Sequence, residues 1–210
     1  MILRAYQPSD LRAVYDICLA TARQPTSAED QLSDPDLLGH VYAGPYLELQ
    51  PELAFVIADE DGVAGYVLGA LDSAEFYRRW RQVWSPRFTT SHPEPAAEVT
   101  REDRLAGLLH HPWRALPDGI SGYPSHLHVD LLARARRRGW GTALLRALLE
   151  ALSERSSPGV HLITSTANAA AVAFYAHLGF EVLGTTRHNG VVMGSALADS
   201  GRMESPTTSP

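Results

Sequence analysis

The chain is expected to fold as an α/β protein in which strands alternate with helices, and three stretches of sequence predict this. Residues 126–131 alternate with period two and run into a turn holding Arg136, Arg137, Arg138, Gly139 and Gly141, after which apolar residues repeat at helical spacing to about 152. Residues 160–165 make a second apolar strand, followed by Asn168 and another apolar helical run. Two further apolar segments, 53–58 and 63–71, flank Asp61 and Gly62, the dipeptide of a tight hairpin.

In order, residues 1–6 read as a short strand, and Pro8, Ser9 and Asp10 supply turn and cap chemistry for a helix over 10–20. A second helix is expected around 35–46, ending near Gly44 and Pro45. After the hairpin, residues 74–84 have helical periodicity with Phe76, Trp80 and Trp84 on one face, a stripe that suits core packing better than a ligand platform. Thr100 and Asp103 have capping-box spacing at the start of a run that ends at His110, His111 and Pro112. Residues 181–186 and 189–196 close the sheet as two short strands, and from about Asp199 the Ser, Pro and Thr content reads as a disordered tail.

Composition narrows the function classes. A chain of 210 residues with 45% hydrophobic content fits one domain, taken as 1–198. The formal charge of −6 argues against broad nucleic-acid binding, so the local basic patch at 134–138 suits a small anionic ligand instead. Cys18 is the single cysteine, which excludes an internal disulfide and gives no zinc cluster by itself. All 18 basic residues are arginine. No apolar run has the length of a membrane span and no secretory signal pattern opens the chain, so a cytoplasmic location is the default expectation.

The turn at 136–142 combines a helix N-terminus, whose unpaired N–H groups and partial positive charge attract anions, with two glycines that let phosphates approach the backbone. It lacks the third glycine and downstream acid of a dinucleotide fingerprint and the Lys-Ser/Thr pair of a P-loop. Two spacings stand out: Arg136-x-x-Gly139-x-Gly141, and Asn168-x-x-Ala171-x-x-Phe174-Tyr175-x-x-x-Gly179-Phe180. Together these resemble the GNAT superfamily of N-acetyltransferases over roughly residues 120–186. The string His126-Leu127-His128-Val129-Asp130, the Trp-rich helix and Gly159-Val160-His161-Leu162 are similar, more narrowly, to the branch that includes the C-terminal acetyltransferase-like domain of eukaryotic O-GlcNAcases. That likeness implies no sugar hydrolysis.

The resemblance implies the GNAT acyl-CoA N-acyltransferase fold, a mixed central sheet of about seven strands flanked by helices, with splayed central strands and a helical insertion at about 72–125 before the fourth strand, placed to wall an acceptor pocket. It implies acetyl-CoA as co-substrate and an amine of a small molecule or peptide as acceptor, attacked directly in a ternary complex. A homodimer is common in the family; nucleic acid and membrane are not expected partners. By family position the backbone N–H near Val129 polarises the thioester carbonyl, Leu131 and Ala133 offer backbone groups to the pantetheine amides, and Tyr175 reprotonates the thiolate. Ala133 stands where many members have proline. Arg136, Arg137, Arg138, Gly139, Trp140, Gly141 and Thr142 are the expected diphosphate cradle, with Asn168, Ala171, Phe174 and Tyr175 along the cofactor arm. Packing beside Phe174 would also account for Tyr175, and helix capping alone for Asn168.

Period two puts His126, His128 and Asp130 on one strand face, where an imidazole beside a carboxylate is poised to accept a proton near neutrality, as a general base would. His128 and Asp130 are the candidates for that role, directly or through water; His126 fits a satisfied polar network beneath the site. Without further ligands on that strand, no metal is expected. Some protein acetyltransferases carry a glutamate early in this strand, and Ser125 is its nearest counterpart here. That difference supports an alternative: a module that binds acetyl-CoA without turnover. Cys18, distant in sequence and in the expected fold, is not a candidate nucleophile. The acceptor itself is not encoded in any recognisable pattern.

Overall fold

In the computed structural model, which describes residues 1–22, 27, 30–186 and 189–197, alternating segments assemble into one seven-stranded sheet. The strands are β1 (Ile2–Ala5), β2 (Ala54–Asp59), β3 (Gly62–Ala70), β4 (Ser125–Leu131), β5 (Gly159–Ser165), β6 (Glu181–Thr185) and β7 (Gly190–Ala196), ordered β1-β2-β3-β4-β5-β7-β6. All neighbours are antiparallel except β4 and β5. The residues expected to form the tail, and Arg187 and His188 in the β6–β7 connection, lie outside the described residues.

Among the described residues seven α-helices cover the two faces: α1 (Leu11–Thr21), α2 (Leu37–Tyr42), α3 (Gly44–Leu49), α4 (Ser73–Arg79), α5 (Arg101–His110), α6 (Trp140–Ser153) and α7 (Ala169–His177). Helices α1 to α5, together with Trp80 just beyond α4, bury Val14, Ile17, Leu38, Phe76, Trp80 and Leu109 against Val56, Tyr66 and Leu68 of the sheet. On the opposite face α6 buries Leu144, Leu145, Leu148 and Leu152 with Ile57, Val67, Val160 and Leu162. Strand alternation explains the division, since neighbours such as Val56 and Ile57 must point to opposite cores.

Three local expectations change. The helix expected over 35–46 is two helices, broken at Ala43 (φ −131°, ψ −54°); Pro45 belongs to the first turn of α3, where its missing N–H costs nothing, rather than to the end of α2. The run 74–84 leaves α-helical geometry at Trp80, where a wider π turn (Trp80–Trp84) turns both Trp80 and Trp84 inward. Asp10 does not cap α1 through its side chain: its carboxylate takes both guanidinium nitrogens of Arg4 at 2.7 and 2.8 Å and the Gln7 N–H at 2.9 Å. Thr100 and Asp103 do form the reciprocal capping box on α5, at 3.1 and 2.7 Å.

Helix α6 lies so close to β3 that a Cβ on Gly69 would sit 2.5 Å from Leu148 Cδ1. Leu148 is fully buried, so Leu148→Ala should leave a cavity costing about 3 kcal/mol. Urea denaturation should show that loss as a lower midpoint with an unchanged slope.

Candidate active site

Strand β4 is held along its β3 edge from Ser125's end to its last residue, with His126 opposite Ala70 and Leu131 opposite Gly65. Its other edge is different. Only Ser125 and His126 pair with β5, opposite Val160 and His161, and the strands then part. The Leu132 N–H bonds to the Ala64 carbonyl at 2.8 Å, so alternation along the strand turns the backbone groups of Val129 and Leu131 toward the parted edge. The Leu131 carbonyl accepts from Arg136 Nε at 2.8 Å. That contact ties the arginine turn back to the strand end.

The turn itself starts with a short 3₁₀ segment, Ala133–Ala135, then passes through Arg137 (φ 57°) and Gly139 (φ 81°) before α6 begins. A left-handed residue at Gly139 bends the chain sharply enough to aim the first α6 N–H groups away from the sheet. No side chain caps α6, so the N-terminal amides at Trp140, Gly141 and Thr142 keep their donor capacity. Arg136, Arg137 and Arg138 are exposed beside them. Arg134 is separate: it lies 3.3 Å from Asp59 and donates to the Gly62 and Val63 carbonyls at 3.2 and 3.1 Å. Ala133, also exposed, precedes it.

Helix α7 brings the second motif alongside the first. Asn168 Oδ1 caps it by accepting the Ala171 N–H at 3.1 Å. Gly141 faces Phe174, whose Cζ would lie 3.1 Å from an added Cβ. Tyr175 is buried between Phe174 and Phe180, and burial, reinforced by the negative charge of Asp130, pushes its phenol up to about 12. The hydroxyl therefore keeps its proton at neutral pH.

On the α1–α5 side of the parting lies a cleft of about 130 Å³, open to solvent, lined by β4 and β5 and by Tyr42, Tyr46, Tyr77 and Trp80 among others. The aromatic helix face is thus both core and cleft wall. Three imidazoles border this cleft in three different states. His126 donates from Nδ1 to Ser73 Oγ at 2.7 Å, because that hydroxyl already donates to the Pro124 carbonyl, and its Nε2 accepts from Tyr46 at 2.8 Å. Burial, aided by neighbouring His161 and His128, holds His126 well below the ordinary range.

His128 and Asp130 do not share that network. His128 Nε2 sits 3.1 Å from Asp130 Oδ2, while Oδ2 accepts the Tyr66 hydroxyl at 2.8 Å. The Nε2 approach to Asp130 is misaligned for a hydrogen bond, so that contact is an ion pair, and the Cys18 sulfur lies beside the same imidazole. Burial opposes charge on His128, but the Asp130 carboxylate, seconded by Cys18, outweighs it and raises the imidazolium to about 10. About a third of the His128 side chain is exposed to the cleft, which moderates the burial contribution and leaves Asp130 deciding the direction. His128 thus already carries a proton at neutral pH, where the sequence reading had it poised to accept one. Asp130 is correspondingly lowered: burial pushes it up, yet His128 and the hydroxyls of Tyr66 and Thr21 prevail.

Cys18 is a correction. Its thiol, buried on α1, falls within a cluster whose ligand atoms, with those of His128 and Asp130, lie within 4.8 Å of one another. Contact between α1 and β4 across the sheet face brings it there, a proximity invisible over more than a hundred residues of sequence. His161 was not singled out. Its Nδ1 lies 2.8 Å from the Tyr123 carbonyl, which can only accept, so Nδ1 holds the proton and Nε2 is left as a lone-pair site. Burial lowers His161 against the carbonyls of Tyr123 and Ser125, and it lines the cleft. Its place opposite His126 at the last β4–β5 pair, a register that no sequence pattern gives, brings it to the cleft. Ser125 is buried and bonded to the Leu71 carbonyl and Ser157 at 2.6 and 2.7 Å.

Residues 13–180 match the family model described as the acetyltransferase (GNAT) family. Protein O-GlcNAcase from Rattus norvegicus is 27% identical over 184 residues, 86% of this chain and 20% of the relative, and that from Mus musculus matches equally. The chain therefore spans about a fifth of the length of these curated relatives. The crystal structure of SsHAT superimposes with a TM-score of 0.86 at 38% identity, covering 94% of this chain and 98% of that one. The ribosomal-protein-S18-alanine N-acetyltransferase from Escherichia coli shares the fold, with a TM-score of 0.53 and 16% identity over 96% and 97% of the chains.

The ion pair sets a pH signature. Because the folded pKa of His128 lies above its ordinary value of 6.5, its stabilisation is complete below about 6.5 and is lost as pH rises toward 10. In Asp130→Asn burial should dominate instead, and NMR titration should find His128 below 6.5; a value still near 10 would show that Asp130 is not the cause.

Proposed function

The chain belongs to the acetyltransferase (GNAT) family, and on that premise we propose that it transfers the acetyl group of acetyl-CoA to an amine of a small molecule or peptide, by direct attack in a ternary complex. The parted edge of β4, beside the uncapped start of α6, is the observation that carries this reading. An extended pantetheine arm can pair with the backbone groups of Val129, Leu131 and Ala133 as an added strand would. The diphosphate then meets the N–H groups at Gly139, Trp140, Gly141 and Thr142 and the guanidinium groups of Arg136, Arg137 and Arg138. Asn168, Ala171 and Phe174 flank the arm from α7.

In the reaction the amine lone pair forms the new C–N bond, the Val129 N–H supports the oxyanion, and the C–S bond breaks as the carbonyl re-forms. Tyr175, protonated up to about pH 12, gives its proton to the departing thiolate. The ammonium proton passes to the cleft, where His161 Nε2 is a neutral acceptor; Asp130 and His128 act as a charged pair that orients the amine and the water around it. Cys18, though near His128, is only 4% exposed, which disfavours an acyl-enzyme. The buried serine at position 125, with no carboxylate in its place, favours a second reading, an acetyl-CoA-binding module without turnover.

Calorimetric titration with acetyl-CoA should give binding that Arg136→Ala and Gly139→Glu each weaken by at least about tenfold; unchanged affinity in both variants removes the cradle assignment. Thiol release on a panel of amines should accompany binding, and its absence on every amine selects the non-catalytic module. Tyr175→Phe should lower kcat by about 10²-fold with little change in acetyl-CoA affinity. Rapid mixing with labelled acetyl-CoA should leave Cys18 unmodified, and a transient acetyl-Cys18 would overturn direct transfer.

A further inference from the structure

Away from the cleft, a second cluster of donors converges from three segments. Asp34 precedes α2, His40 lies within α2, and His92 follows the 3₁₀ segment Ser85–Phe88. One ligand atom from each lies within 4.8 Å of the other two. We propose that Asp34, His40 and His92 form a binding site for a divalent transition-metal ion of the zinc class.

The donor set is borderline, two imidazoles and one carboxylate, which suits zinc or its neighbours better than calcium or magnesium. Each donor is oriented by something other than its fellow ligands. Asp34 Oδ1 accepts the Asp36 N–H at 2.8 Å in a local turn, which leaves Oδ2 directed at His92 Nε2, 3.0 Å away. Nδ1 of His40 lies 3.1 Å from the Tyr15 hydroxyl. When Nδ1 donates to that hydroxyl, Nε2 is the free donor atom, the arrangement in which a polar partner fixes the tautomer of a ligating histidine. His92 is buried, and its backbone is pinned from both sides, its N–H to the Phe88 carbonyl at 2.8 Å and its carbonyl to His110 at 2.7 Å.

Distances decide between a closable site and a chance grouping. A tetrahedral zinc ion about 2.1 Å from each donor puts donors roughly 3.4 Å apart, so contraction from at most 4.8 Å is within reach of small side-chain rotations. Asp34, with 39% of its side chain exposed, gives the ion a route from solvent and leaves room for a water ligand. Phe88 packs on both imidazoles, with ring centroids 4.4 and 6.2 Å from His40 and His92, and shields the inner side. Two imidazoles and one carboxylate bring a single formal negative charge to meet the cation.

Occupancy would act on the rest of the protein through α2. The His40 carbonyl accepts the Trp84 indole N–H at 2.8 Å, and the next two residues, Val41 and Tyr42, line the cleft. An ion clamped by His40 therefore braces one cleft wall against the segment that carries His92.

The full chain, untagged and stripped of metal, tests the proposal by zinc titration against a chromophoric chelator and by thermal unfolding. One equivalent of zinc should bind and raise Tm. Asp34→Asn and His92→Gln should each weaken zinc binding by about tenfold or more, with Asp34→Asn, at the exposed ligand, deciding the matter should His92→Gln fail to fold. Cys18→Ser should bind as the parent does, and cobalt substitution should show no thiolate-to-cobalt charge-transfer band. Absence of saturable binding, indifference to Asp34→Asn, or a thiolate band lost with Cys18→Ser, which would put the ion beside His128, each overturns the proposal.

Discussion

The parting of β4 from β5 after His126 is the constraint on which the rest of the architecture turns. Each of the two strands is secured on its outer side, β4 by β3 along its full length and β5 by β7 from Gly159 to Ser165. The seam between them can open because neither depends on the other for its position. Opening leaves the backbone groups of Val129 and Leu131 without a sheet partner, and unpaired peptide groups are costly once shielded from water. Arg136 takes the Leu131 carbonyl, and the remainder is an edge that an extended amide-bearing ligand can complete. The same parting makes the cleft, so in the proposed reaction an acyl donor from the α6 side and an acceptor from the α1–α5 side would meet within one opening.

Electrostatics around that opening show how little the residue type alone decides. His126, His128 and His161 lie within two strand positions of the seam, yet only His128 carries charge at neutral pH. His126 is desolvated with both nitrogens committed to hydroxyls, His161 is desolvated with Nδ1 committed to a carbonyl, and His128 faces a carboxylate. For the proposed reaction this division is useful, since a charged pair, a neutral acceptor and a protonated phenol coexist at one pH. Asp130 links them, pairing with His128, accepting from Tyr66 and raising Tyr175.

The helical segment between β3 and β4 does two things with the same side chains. Trp80 is 3% exposed and belongs to the core with Phe76 and Leu109, while its remaining surface lines the cleft with Tyr77. Its indole N–H is bonded to the Leu109 carbonyl at 3.1 Å, and Trp84 reaches His40 in the same way. The cleft wall is therefore as rigid as the core behind it. A change in acceptor preference through this wall would also change stability.

Much of the fold was legible in the residues because it rests on local patterns. Apolar runs bounded by turn residues, with period-two alternation at 126–131, located all seven strands to within a residue or two, Thr100 and Asp103 announced α5, and the motifs at 136–141 and 168–180 marked the two segments that meet at Gly141 and Phe174. Local rules did less well where a tertiary contact chose between allowed options. Gly44 and Pro45 could end one helix or begin the next, and packing of Gly44 against Tyr15 and Trp84 selected the second. What no local pattern carried was proximity across the sheet and between distant segments. Cys18 beside His128, His161 opposite His126, and the convergence of Asp34, His40 and His92 all join residues tens to more than a hundred positions apart. Periodicity fixes which face a side chain takes, but which partner it meets there, and so its charge and its role, is decided only when the layers pack.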